Sequence, residues 1–280
     1  MLKDIKKAIA SIGEDSVFIV AMDGACKKTL WLLMEDMTMH KIFSQRCSTH
    51  GCNLLVADIG KLLSAEILLC VRLVKFIANH DGIYAIMQQI PGSLHLFAAV
   101  ETRFCSQIYS SEVILKDKLF MRELFSGPLL SERMVRASDE LNSEHRSLDM
   151  DLVSNPAAWA RIQIFVDVEL PLRTLFRISD GHQANLTHMC YGYEEARKQS
   201  LAAASTATLQ YPLLYAELHD KVLTAFDKRA GDIVTPLCLA ACMVLPSHVH
   251  GVNNTSIYNP PRGHCGGHRS LLPWRYQESG

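Results

Sequence analysis

"KIFSQRCSTHGCNLLVADIGKLL", residues 41–63, decides how this chain is read. Its first part, 41–47, is a short strand pattern, and from His50 to Leu63 apolar residues at 54, 55, 59, 62 and 63 recur at helical intervals. A strand passing directly into a helix is one half of an α/β unit. The other half lies upstream, where "SVFIVAM" (16–22) predicts a buried strand ending at Asp23-Gly24. "ACKKTLWLLMEDM" then takes up helical spacing, and a further helix is predicted over 65–80, with Ile67, Leu68, Val71, Val74 and Ile77 on one stripe. The order β-α-β-α-α has parallel strands as its simplest solution.

Beyond "IPGSLHLFAAVETR" the strand signals stop. Helices are predicted over 103–124, 128–146, 151–177, 185–205, 211–227 and 235–244, with breaks at Gly127-Pro128, Asn155-Pro156, Asp180-Gly181 and Gly231-Asp232. Pro156 and Pro171 are each expected to start or kink a helix. No repeat of solenoid period is present. From about Gly251 the chain turns rich in Gly, Pro and Asn, the composition of a disordered tail. The expected organisation is an α/β unit over 1–102, an α-helical region over 103–250 and a tail over 251–280.

Bulk properties narrow the class. A chain of 280 residues with 49% apolar and 20% charged residues has the means to bury a sizeable core. The net charge of −1 supplies no global field for nucleic acid, so any DNA contact needs a local patch such as Lys27 and Lys28, or Lys3, Lys6 and Lys7. Nine cysteines, an odd number scattered through apolar stretches, predict reduced thiols rather than a disulfide framework. The longest apolar run, "SAEILLCVRLVKFI", is broken by Glu66, Arg72 and Lys75, and the N-terminus is too charged for a signal peptide. The expectation is a soluble protein of the nucleus or cytoplasm with no membrane partner.

Two constellations carry candidate chemistry. Asp23, at the carboxyl end of a strand and ahead of a helix, stands where open α/β sheets place ligand-binding groups, and in two-metal chemistry such a carboxylate bridges divalent ions. On the residues alone the simpler reading is a strand-ending turn that caps the next helix. Cys47-x-x-His50-x-Cys52 offers soft ligands, but tetrahedral zinc needs a fourth, and the next such group, His264, Cys265 and His268, lies in the tail. Cys47 and Cys52 are more simply buried small residues, with Thr49 or His50 serving the helix N-terminus. Trp31 and Trp159 fall on helical stripes and are expected in the core. Neither a phosphate-cradling glycine loop nor a Ser-His-Asp elbow is present.

Taken in order, "VFIVAMDGACKK", "HKIFSQRCSTHGCNLLVADIGKLL", "VKFIANHDGIYAIM" and "ETRFCSQIYSSEVILKDKLFMRELF" resemble the hAT transposase superfamily, closest to its transposase-derived plant-type proteins. Cys47, His50, Asn53, Leu54 and Asp58 to Lys61 match the family's Cys-x-x-His, Asn-Leu and Asp-Ile-Gly-Lys elements, and Arg103 matches its Thr-Arg-Trp/Phe element. "AAWARIQIFVDVELPLRTLFRISDG" and "TPLCLAACMVLPS" resemble parts of the family's helical insertion domain, so the likeness spans roughly 15–247.

The resemblance implies a ribonuclease-H-like core with an Asp-Asp-Glu triad that holds two Mg2+ or Mn2+ ions for DNA cleavage and strand transfer. Asp23 matches the second Asp, Cys47 and His50 a motif beside the core, and Lys27, Lys28 and Arg103 are DNA-contact candidates. The chain departs from the family in several respects, among them the family's zinc finger and dimerisation segment, for which no counterpart is read. No counterpart of the first Asp precedes Asp23, no counterpart of the Glu follows the helical region, Cys238 stands for the family's His, and Leu245 for its Asn. The expectation is therefore a remnant truncated at both ends, with Asp23 vestigial, no resident metal, at most weak DNA binding, and self-association through an exposed strand edge. The competing readings are a helical protein-interaction module without a DNA role and a gene fragment without selected function.

Overall fold

The computed structural model describes residues 1–23, 26–35, 42–78, 106–119, 121–122, 153–180 and 185–244. The helix expected over 128–146, the tail over 251–280, Arg103 and the histidines from His248 onward lie outside them. The described chain is mostly helical, with a small two-stranded sheet.

Helix α1 (Leu2–Ile12) precedes strand β1 (Ile19–Met22), helix α2 (Lys27–Met34) and strand β2 (Phe43–Arg46). The two strands are parallel, with Ile19 opposite Phe43 and Met22 opposite Arg46. The connection through α2 is what a parallel pair requires, since a hairpin turn cannot reverse the chain twice. Ile9 of α1, Met22 and Leu33 form a small core on one side. The expected burial of the first strand holds only at its end: Met22 is buried, while Phe18 just before β1, Ile19 on it and Phe43 on β2 are exposed. Among the described residues, each strand has only the other as a neighbour.

The rest is a helical body. Helices α3 (Ser48–Leu62), α4 (Ser64–Ala78) and α5 (Ser106–Lys116) are followed by two long helices, α6 (Pro156–Asp180) and α7 (Leu186–Gln210). A single turn, α8 (Pro212–Tyr215), leads to α9 (Leu218–Ile233) and α10 (Pro236–Val244). The principal core joins Leu55 and Ile59 of α3 to Phe165 and Leu172 of α6, Tyr193 and Ala204 of α7, and Val222 and Phe226 of α9. It therefore runs across the boundary expected at 102/103.

Pro156 opens α6 as expected, whereas Pro171 lies inside it without ending it. Proline supplies no N–H to the carbonyl one turn back. Here α6 packs against α7, α3, α5 and α4 with Pro171 itself buried, and tertiary burial outweighs the lost bond. Two of the polar groups that this packing buries find backbone partners. Ser200 donates to the Val168 carbonyl and Tyr193 to the Phe226 carbonyl, each at 2.7 Å.

Helix α4 is turned relative to the expected stripe. Val74 and Ile77 are buried, but Leu68 is exposed, and the inward face carries Glu66, Cys70, Leu73 and Phe76. The cause is Glu66. Its carboxylate accepts from Arg161 and from the Tyr215 hydroxyl, each at 2.8 Å, so a charged residue takes an interior position the pattern reserved for an aliphatic one. Trp159 is buried as expected, its indole N–H donating to the Val153 carbonyl at 2.7 Å. The side chain of Trp31 lies outside the described residues.

Candidate functional site at the head of helix α3

Cys47 is the N-cap of α3, in extended conformation, and its own N–H donates to the Met22 carbonyl at 2.8 Å. That bond carries the strand pairing straight into the helix start. The three residues that follow each reach a different element. Ser48 donates to the Ile233 carbonyl in the last turn of α9 at 3.0 Å. Thr49 donates to the Ser179 carbonyl in the last turn of α6 at 3.1 Å. His50 places Nδ1 2.9 Å from Oδ1 of Asp23, just past the end of β1. Carbonyls in the last turn of a helix have no intrahelical donor, and two hydroxyls of one turn meet that need here. Thr49 and His50 thus serve the ends of other elements rather than the N-terminus of their own, because those ends converge on it.

Gly51 makes the convergence sterically feasible. A Cβ there would lie 2.9 Å from the Asp232 carbonyl oxygen and 3.0 Å from Cγ1 of Ile233. Further along α3, a Cβ on Gly60 would meet Oε1 of Glu169 at 3.4 Å. At these two glycines α9 and α6 come close against the helix.

A charged chain runs beside the hydroxyls. Arg46, at the end of β2, pairs with Asp232, and Arg229 pairs with Asp232 at 3.4 Å and with Asp58 at 2.8 Å. Lys228 adds a contact to Asp58 at 3.0 Å. Burial works against charge on Asp58, but hydrogen bonds from Lys228 and Arg229 prevail and hold its carboxyl below the usual range. Gln45 of β2 accepts from Thr235, just after α9, at 3.1 Å.

Of the residues singled out from sequence, Asp23 and His50 are brought together, and Cys47, half-buried, is bonded through its backbone to Met22, the residue before Asp23. Cys52 is buried in the principal core, and Asn53 is half-buried on α3. Asp58 faces α9 and its cations. Lys28 is exposed on α2; the side chain of Lys27 is outside the described residues, as is Arg103. Sequence reasoning did not single out Ser48, Arg46, Arg229 or Asp232, and it gave Thr49 only a role at the N-terminus of its own helix. Their partners are 130 to 186 positions away, and no local pattern encodes such a distance.

The groups beside Asp23 do not fit a pair of Mg2+ or Mn2+ ions. Those ions take several oxygen ligands each, whereas the side-chain partner of Asp23 is an imidazole. Asp58 and Asp232, the carboxylates that line the head of α3, are committed to arginine and lysine. Among the described residues no group of three or more His, Cys, Asp or Glu side chains is placed to hold a metal ion. No helix of the described residues is long and apolar enough to cross a membrane. Compared with protein-family profiles, with curated proteins and with solved structures, the chain matches none.

Proposed function

We propose that this chain is a transposase-derived protein of the hAT type, with a partial ribonuclease-H-like unit whose ancestral chemistry is metal-dependent DNA cleavage and strand transfer, and that it does not itself cut DNA. The observation that carries this reading is the Asp23–His50 pair. The resemblance singles out the strand-end carboxylate and the Cys-x-x-His turn separately, and the parallel β1–β2 pair puts them in contact. A carboxylate at the carboxyl end of a parallel strand is where such sheets carry their chemistry. Paired with an imidazole, it has no cluster of carboxylates beside it among the described residues of the kind that two-metal phosphoryl chemistry uses.

Two assays test the reading. The first titrates Mn2+ calorimetrically into the chain and into Asp23→Ala, and follows nicking of a DNA hairpin; neither protein should bind the ion tightly or cut. Mn2+ binding that is lost in Asp23→Ala, together with nicking, refutes the claim that catalysis is gone. The second measures anisotropy of a labelled hairpin between about 50 and 200 mM salt, where phosphate contacts weaken steeply. Weak binding that falls with salt supports the DNA reading. No binding at any salt overturns it in favour of a helical protein-interaction module.

A further inference from the structure

On α10, Cys238 and Cys242 lie one turn apart and both face α7, which carries Cys190. Cys238 is fully buried in the principal core, and its Sγ is 3.3 Å from the Thr235 hydroxyl. Cys190 and Cys242 are half-buried. The Cys242 thiol reaches the Thr187 carbonyl at 3.9 Å, one helical turn before Cys190. Burial, followed by the neighbouring Cys242 and Cys238 thiols, pushes the Cys190 thiol up to about 12. Cys190 has the other two thiols beside it, an arrangement that suggests either chelation or disulfide exchange. Chelation is disfavoured because no such group among the described residues is placed to hold a metal ion.

We propose that Cys190 and Cys242 form a reversible disulfide site that takes a small disulfide of the glutathione class as its oxidant and ties α10 to α7. The thiolate of Cys242 attacks one sulfur of the small disulfide. That S–S bond breaks, and the first small thiolate leaves with the electron pair and takes up a proton. The thiolate of Cys190 then attacks Sγ of Cys242 in the mixed disulfide and expels the second small thiolate, which is also protonated. Two electrons and the two thiol protons pass to the small disulfide, so one S–S bond is made for one broken. Cys190 ionises with difficulty, so ring closure is the slow step and accelerates as pH rises. Cys238, held by Thr235, stays a spectator. Among the described elements, α7 is the one that α10 packs against extensively, so the bridge secures a helix with little other anchorage.

The test equilibrates the full chain in buffers of reduced and oxidised glutathione, alkylates the remaining thiols and maps the peptides by mass spectrometry without reduction. A Cys190–Cys242 linked peptide is expected in the wild type and in Cys238→Ser, reversed by excess dithiol and absent from Cys190→Ser and Cys242→Ser. The thermal midpoint should rise by roughly 10 °C on oxidation of the first two proteins alone. Glutathione adducts without a bridge, a bridge through Cys238, or untouched thiols in the wild type each overturn the proposal. The wild-type map decides the question even where a serine variant folds poorly.

Discussion

Replacing Gly51 with alanine adds one methyl group, and the structure specifies what that methyl meets. Its ideal position is 2.9 Å from the Asp232 carbonyl oxygen, 3.0 Å from that carbonyl's carbon and 3.0 Å from Cγ1 of Ile233. The first two are backbone atoms that cannot swing aside, so α9 must move away from α3. Overpacking of this kind costs about 1–3 kcal/mol. Against it stands the gain of about 1 kcal/mol that alanine brings over glycine in a helix. With backbone atoms on the receiving side the steric cost falls in the upper part of that range and wins, leaving a net loss of up to about 2 kcal/mol. Gly231, an exposed residue of α9, is the internal control, because a Cβ there meets nothing within 4 Å. Gly231→Ala should stabilise the protein by about 0.5–1 kcal/mol. Urea unfolding of both variants, followed by circular dichroism and analysed by midpoint and slope, reads the two signs directly. If Gly51→Ala proves as stabilising as Gly231→Ala, the close approach of α9 to the head of α3 is wrong.

Other substitutions probe separate parts of the molecule. Glu169 is fully buried with neither carboxylate oxygen hydrogen-bonded, and burial raises its pKa well above the usual carboxylate range. The folded state therefore holds this proton more tightly than the unfolded state. Stability is fully present below about pH 4.3 and falls by about 1.4 kcal/mol per pH unit until the raised pKa is passed. Glu169→Gln should remove that slope, and parallel stability-against-pH curves for the two proteins would show the carboxyl to be solvated instead. Arg161→Ala strands the buried Glu66 carboxylate with only the Tyr215 hydroxyl and should cost about 3 kcal/mol in denaturant, whereas a loss under 1 would mean that water reaches Glu66. Phe18 and Phe43 are exposed beside the strand pair, so Phe18→Ser with Phe43→Ser should lower the apparent mass in concentration-dependent light scattering. An unchanged, monomeric mass in both proteins would refute self-association through that face.

Much of the architecture was legible along the chain. The parallel strands, the helix beginning near Cys47 and the helices after Pro156, Asn185 and Thr235 follow from local apolar spacing and from proline and cap residues, all short-range signals. Asn185 illustrates this: its side chain accepts from the His188 N–H and caps α7 in the ordinary way. The face of α4 was misjudged because the spacing rule treats Glu66 as outward, and only Arg161, 95 positions later, makes it an interior residue. The candidate site was half legible. Asp23 and His50 stood out by type and position, but their contact and the roles of Ser48 and Thr49 depend on partners more than a hundred positions away for the hydroxyls and on strand register for the imidazole. Hydroxyls in a first helical turn resemble ordinary caps until the elements they reach are known.

The head of α3 also sets the order in which the chain can assemble. Its hydroxyls close on carbonyls 130 and 185 positions away, so during synthesis α3 emerges long before either partner exists. Closing such long loops is an entropic cost met only once α6 and α9 are formed and packed. The turn from Ser48 to Gly51 should therefore be among the last parts to lock. Lesions there should leave the refolding rate nearly unchanged and accelerate unfolding, so that they shorten the lifetime of the finished protein. Until α9 is complete, the nascent chain presents Ser48, Thr49 and the glycine notch at Gly51 unsealed, an interval in which a chaperone or a second copy can compete for the position α9 will take.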